Sequence, residues 1–390
     1  MEQRWTSVWG NAMSVAENRP ESYAKDITLR YRIAVPFGGS RLRLTLDNYC
    51  GTESVTVTGV TVLHNGRIWP VRFRDRRAGQ TAEPVLYAFM PAGENIVSEE
   101  LELPVERGDS LEVNLYFGEF TKMRSLVYAQ GLLCKGAFAM GNFLQHAGEL
   151  PMDCSRPTNL FYFLSNVSVL AGENCRAVVC YGDSITAQNW PDEMQLKLQE
   201  DGVDNVSVIR RATSGSRILR EYSCITYESY GLMGTKRFCH EVPTDGADTV
   251  IIQQGINDII HPVGTDVNPF RPMSDLPSAE ELIEGLKWYI EQARRMGLSV
   301  YLGTLLPIEG WRTYAPFREE LKNAFNEFIR TTDLIDGVID FDKCLRDPDH
   351  PSRFLPEYDS GDHLHPSAAG YRRMGEEAAR VMEMRKQPEL

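Results

Sequence analysis

The stretch Val178-Val179-Cys180-Tyr181-Gly182-Asp183-Ser184-Ile185-Thr186 decides how the second half of this chain is read. A short apolar segment stops abruptly at Gly182-Asp183-Ser184, and a helical pattern begins close behind it at Pro191. A strand that ends in such a turn presents its serine hydroxyl at the carboxyl edge of a sheet, where open α/β sheets place their chemistry. Gly, Asp and Ser each favour turns for local reasons, so the tripeptide by itself is an ordinary turn. Its weight comes from three pieces that follow in order: Gly215, then Gly255-Ile256-Asn257-Asp258, then Asp362-His363-Leu364-His365-Pro366.

Working outward, apolar strand-like runs alternate with helical patterns from Glu173 to the carboxyl end. That alternation is the mark of a parallel sheet flanked by helices. Strands are expected at Arg176 to Tyr181, Val206 to Ala212, Thr249 to Gly255, Ser299 to Leu306 and Gly337 to Phe341. Helices are expected near Pro191 to Glu200, Ala279 to Met296, Phe317 to Thr331 and Ser367 to Met384. Ser278-Ala279-Glu280-Glu281 is a capping box, in which serine and glutamate each satisfy a free amide of the first turn. Five parallel strands with crossover helices predict an α/β, flavodoxin-like domain.

The first half reads differently. Asp26 to Ile33 and Arg41 to Leu46 alternate apolar and polar residues, and Val55 to Thr58, Ser110 to Leu115 and Asn159 to Leu164 continue the theme. Period-two runs separated by Gly, Asn and Pro clusters predict an antiparallel β-sandwich of jelly-roll type, with at most one short helix near the amino terminus. A linker is expected around Ala171-Gly172-Glu173-Asn174. The chain thus divides into a β-sandwich over residues 1–172 and an α/β domain over 173–390. Its 390 residues agree with two domains.

Composition narrows the partners. The chain is 42% hydrophobic and 24% charged, as a globular protein is. With 41 basic against 54 acidic residues it carries −13, which argues against nucleic acid and against an anionic membrane surface. No apolar run is long enough to span a bilayer. The start, Met1-Glu2-Gln3-Arg4-Trp5-Thr6, has no signal-peptide core, so a cytoplasmic location is expected. Eight cysteines are dispersed without a Cys-x-x-Cys pair, as expected of small buried hydrophobes in a reducing compartment. Neither they nor the seven histidines form a metal-ligand pattern, so no metal and no cofactor is implied. A homo-oligomer is left open.

The four blocks together resemble the SGNH (GDSL-type) hydrolase family over roughly Ala177 to Met384. The first block reads Gly-Asp-Ser-Ile, where the name-giving form has leucine. A serine hydroxyl is a poor nucleophile until a neighbouring base takes its proton. The resemblance makes Ser184 that nucleophile, His365 the base and Asp362 the carboxylate that holds the imidazole. In the family, Asp and His sit on one loop, three residues apart, as Asp362 and His365 do. His363 has the wrong spacing and reads as structural, and the whole segment also resembles a plain capped helix entry. The oxyanion donors implied are the amides of Ser184 and Gly215 and the side chain of Asn257. The alternatives are a turn that needs glycine at 215 and an Asx-turn at Asn257.

The function this implies is a serine esterase that removes short acyl groups. The β-sandwich before such a domain looks like the arrangement in acetylxylan-type carbohydrate esterases, which points to acetyl groups on small-molecule or oligosaccharide esters. A lysophospholipase or thioesterase with the same residues, and a non-catalytic carbohydrate-binding protein, are the rival readings. Asp183, Trp190, Arg217 and Trp311 are candidates for touching substrate: the tryptophans to stack on a sugar or else fill a core, the arginine to meet a polar or anionic group. The loop His261 to Leu276 is expected to limit access to small acyl groups.

Overall fold

A computed structural model describes residues 2–13, 15–16, 23–79, 83–222, 230–264 and 271–384. The chain forms two compact units: Met1–Ala177 with Asp204–Ile209, and Val178–Val203 with Arg210–Leu390.

The first unit is antiparallel β. A four-stranded sheet runs Gln3–Gly10, Leu164–Gly172, Leu42–Asp47, Asn95–Val97. A six-stranded sheet runs Ser155–Thr158, Cys134–Met140, Ile27–Ala34, Ser110–Phe117, Gly59–His64, Arg67–Pro70. Alternation along the strands sends Leu42, Leu44 and Leu46 from one sheet and Leu29, Tyr31 and Ile33 from the other into one shared core. That is the sandwich solution to burying one face of each sheet.

Two expectations for this unit change. Among the described residues no helix forms near the amino terminus; Gln3–Gly10 is a strand paired with Leu164–Gly172, with its β-favouring Thr6, Val8 and Trp9 buried. The run Asn159 to Leu164 is not one strand but two, because Phe163 adopts a left-handed φ of 60°. Its buried ring packs against Phe117, and the chain turns there from Leu160–Tyr162 into Leu164–Gly172.

The second region holds the five-stranded parallel sheet. Its strands are β1 (Arg176–Gly182), β2 (Val206–Ala212), β3 (Ala247–Gln253), β4 (Ser299–Gly303) and β5 (Gly337–Ile339), in the order β2-β1-β3-β4-β5. The order reverses direction at β1, which creates a switch point beside the strand that carries Ser184. Helices α1 (Trp190–Glu200), α2 (Gly234–Glu241), α3 (Ile256–Ile260), α4 (Ala279–Arg295), α5 (Pro316–Thr331), α6 (Phe341–Leu345) and α7 (Ala368–Met384) connect and follow the strands.

Helix α4 shows why the pattern was readable. It buries Leu282, Leu286, Tyr289, Ile290 and Ala293 along one stripe, and Ser278 and Glu281 complete both bonds of the capping box. The strands β3, β4 and β5 stop two or three residues before their expected ends. The residues beyond them turn into the loops and short helices of the site. Helices α2, α3 and α6 were not expected; at five to eight residues they are too short to display a helical period.

Candidate active site

At the end of β1, Gly182 is required by space. A Cβ there would lie 2.3 Å from Thr186 Oγ1 and 2.5 Å from the carbonyl oxygen of Gln253. Asp183 follows with no exposed surface, and one of its oxygens accepts from the Ile185 amide at 3.0 Å. Burial pushes this carboxyl up to about 7. Ser184 comes next, and its Oγ lies 2.9 Å from His365 Nε2.

His365 sits on the loop before α7. Its Nδ1 lies 2.7 Å from Asp362 Oδ2. The other carboxylate oxygen of Asp362 accepts from the Leu364 amide at 2.9 Å, the His365 amide at 2.8 Å and Ser360 Oγ at 3.1 Å. Partial burial pushes the Asp362 carboxyl up, but the bonds from the His365 ring and the two amides outweigh it and hold the group below the usual carboxylate range. An ionised carboxylate can only accept, so the ring carries its proton on Nδ1 and offers Nε2 to the Ser184 hydroxyl. The structure therefore joins Ser184, His365 and Asp362 in one hydrogen-bonded line.

A second pair lies alongside. His363 Nδ1 is 2.5 Å from Asp359 Oδ2, the ring is half exposed, and the backbone is left-handed at φ 63°. Nothing in the spacing of the sequence announced Asp359. Its oxygens also hold the amides of Gly361 and His363, which shapes the loop that presents His365.

Gly215 follows β2 with φ 77°, and a Cβ there would fall 2.0 Å from Tyr230 Cδ1. Both facts demand glycine. Asn257, in the first turn of α3, is 3% exposed and donates from Nδ2 to the carbonyl of Ser216 at 3.1 Å. The structure thus ties the Asn257 block to the Gly215 loop. Ser216 Oγ receives Gln254 Nε2 at 2.8 Å and Arg237 Nη2 at 3.1 Å. The same Arg237 nitrogen donates to the carbonyl of Gly182 at 2.5 Å. One buried guanidinium therefore links the serine strand to the Gly215 loop. Sequence reading missed Arg237, since a lone arginine in a short polar helix carries no local signal.

The four candidates for touching substrate separate. Asp183 and Trp190 have no exposed surface. The Trp190 ring packs on Phe341 at 5.2 Å and its Nε1 donates to Thr186 Oγ1, so it is core. Arg217 is 2% exposed and lies with its guanidinium 4.0 Å from the Tyr222 ring. Trp311 is half-buried beside Arg312, and neighbouring Gly310 abuts the His363 ring. The loop from His261 to Leu276 is described except for residues 265–270, so the expectation about access falls in part outside the described residues. Among the cysteines, Cys50, Cys134, Cys175 and Cys180 are buried, Cys239 is exposed, and Cys224 lies outside the described residues. No described helix is long and apolar enough to cross a membrane.

No curated protein sequence matches the chain. Among solved structures, it is similar to a GDSL-like lipase from Bacteroides thetaiotaomicron VPI-5482, with 20% identity over 54% of this chain and 89% of that one, TM-score 0.36. It is also similar to the acetylxylan esterase Axe2 from Geobacillus stearothermophilus, with 17% identity over 54% and 95%, TM-score 0.39. TesA aligns at 19% identity over 54% and 99%, TM-score 0.38. The model of the GDSL-like lipase/acylhydrolase family matches residues 180–373, a span that runs from the serine strand through the Asp362–His365 loop into α7. Through that region, the chain belongs to the GDSL-like lipase/acylhydrolase family.

Proposed function

We propose that the protein is a serine esterase that removes short acyl groups, foremost acetyl groups from small carbohydrate esters. The observation that carries this reading is the line Ser184 Oγ, His365 Nε2, His365 Nδ1, Asp362 Oδ2, with hydrogen bonds of 2.9 and 2.7 Å. Family membership supplies the reaction class, hydrolysis of an acyl bond.

In this mechanism Ser184 Oγ attacks the ester carbonyl carbon while its proton passes to His365 Nε2. The carbonyl π-bond opens and its electron pair becomes the oxyanion. Asp362 stabilises the imidazolium by its bond to Nδ1 without taking the proton. The oxyanion is held by the amides of Ser184 and Gly215 and by Asn257. The Asn257 amide has two N–H donors; one is spent on Ser216, which leaves the other for the oxyanion. Collapse expels the alcohol, protonated by His365. Water, deprotonated by the same imidazole, then releases the acid and restores Ser184.

The alcohol side is the finer part of the proposal: an acetylated oligosaccharide or sugar is preferred to a lipid or thioester. The test is release of acetate from p-nitrophenyl acetate and from an acetylated xylo-oligosaccharide, by wild type and by Ser184→Ala. Loss of both activities in the variant supports the reading. Hydrolysis of the aryl ester alone would keep the mechanism and overturn the carbohydrate substrate. Activity that survives the substitution would overturn the nucleophile.

A further inference from the structure

Arg217 is a buried cation whose hydrogen-bonding capacity is unspent. It is 2% exposed, and among the described residues none of its three guanidinium nitrogens has a hydrogen-bond partner in good geometry, although the Tyr222 hydroxyl lies within its reach. Its nearest carboxylate oxygen, Asp258 Oδ1, lies 3.9 Å from Nε, beyond bonding distance. The Asp258 carboxylate is occupied by the amides of Ile218 at 2.8 Å and Leu219 at 3.0 Å. Asp258 faces the charge of Arg217, but among the described residues its five N–H donors make no well-formed hydrogen bond.

The same domain treats its other buried arginines differently. Arg237 donates to Glu241, Gly182, Ser216 and Arg211. Arg318 donates to the carbonyls of Ile259 and Pro262. A buried donor left unmade is costly, and native proteins keep few of them. Arg217 is therefore an exception in need of an acceptor.

Its surroundings lead to the reaction centre. The guanidinium lies on the Tyr222 ring, the Tyr222 ring is 6.2 Å from that of His261, and His261 is 4.9 Å from Tyr230. Tyr230 in turn abuts Gly215, the glycine of the oxyanion site. His261 is 7% exposed, and its Nδ1 also has no hydrogen-bond partner among the described residues. Burial, and then the fields of Arg217, Arg271 and Arg312, push this imidazole down to about 3, so it stays neutral. The acidic groups nearby are committed: Asp258 to backbone amides, and Asp275 to the Tyr222 hydroxyl at 3.0 Å, with Arg220 at 3.5 Å. In a chain of net charge −13, three guanidinium groups act together on this one neutral ring.

We propose that Arg217, with Tyr222 and His261, forms a subsite for a carboxylate on the substrate, so that the preferred ester is an acetylated sugar acid rather than a neutral sugar. The guanidinium fork takes the carboxylate in a two-point hydrogen bond, and the acetyl carbonyl sits at Gly215. This rests on the esterase reading of Ser184 for the reaction, but not for the binding of the acid.

The test separates the two. Calorimetric titration of the full chain with sodium glucuronate, glucuronamide and glucose reads binding without turnover. The expected result is glucuronate bound at least about 30-fold more tightly than either neutral compound, with that preference lost in Arg217→Gln. Kinetics supply the second arm: the ratio of kcat/KM for acetylated glucuronate over acetylated glucose should exceed about tenfold and collapse toward one in Arg217→Gln. Equal affinity for glucuronate and glucuronamide in wild type, or a preference that survives in a folded Arg217→Gln, overturns the proposal. If the variant fails to fold, the wild-type comparison of glucuronate with glucuronamide decides alone. If glucuronate binds but neither acetylated sugar is hydrolysed, the carboxylate subsite stands and the carbohydrate-ester reading falls.

Discussion

Arg237 Nη2 donates to the carbonyl of Gly182 at 2.5 Å, fixing the last residue of the strand that leads into Ser184. The same guanidinium pairs with buried Glu241 and stacks at 4.2 Å on Tyr181. Replacing it strands a buried carboxylate, a change that costs about 3–5 kcal/mol. Arg237→Met should therefore unfold at a markedly lower temperature. Its remaining folded fraction should turn over slowly, because Ser216 and Gly182 lose their shared donor. A melting temperature within a degree or two of wild type would show that the network is idle.

Asn257→Ala removes one oxyanion donor and the bond to Ser216. The expected outcome is a fall in kcat on the order of 10²–10³ with a small change in KM. Steady-state kinetics on p-nitrophenyl acetate check this; a change confined to KM would mean that Asn257 acts on ground-state binding instead.

The two Asp–His pairs make a clean comparison. His365→Ala should lower kcat by at least about 10³. His363→Ala, whose ring among the described residues bonds only Asp359, should stay within a fewfold of wild type. Equal losses would mean that the loop geometry, and not the chemistry of His365, is what each substitution disturbs.

Asp183 gives a pH dependence with a definite sign. Its carboxyl is raised by burial from the ordinary 3.8 to about 7 in the folded protein. Between those values the folded state holds a proton that the unfolded chain has lost. The contribution of this group is full below pH about 4 and declines as pH rises toward 7. Asp183→Asn removes that decline, so the melting temperature of the variant relative to wild type should improve from pH 5 to pH 8. A difference that is flat across that range, or that worsens, would contradict the assignment.

Much of this site was legible because parallel strands announce themselves as apolar runs, and three of the runs here end beside a block of chemistry. Ser184, Gly215 and Asn257 lie just past such ends, and the Asp362–His365 loop leads into α7. What was hidden depends on tertiary contact. Trp190 follows the serine closely, yet α1 turns its ring onto Phe341. Arg237 and Tyr230 reach the site across the fold from segments with no distinguishing pattern. The break at Phe163 was invisible, because phenylalanine in a left-handed conformation is held there by its buried ring and not by local preference.

The central claim is that Ser184 Oγ becomes acylated, and one measurement tests it directly. The enzyme is mixed with p-nitrophenyl acetate, quenched in acid within the first turnover, and its peptides are mapped by mass spectrometry. The account predicts one added acetyl group on the peptide containing Ser184, absent from Ser184→Ala, with more of it accumulating in Asn257→Ala only if deacylation is the slower step. An acetyl group on another residue, or undiminished turnover by Ser184→Ala, would contradict it.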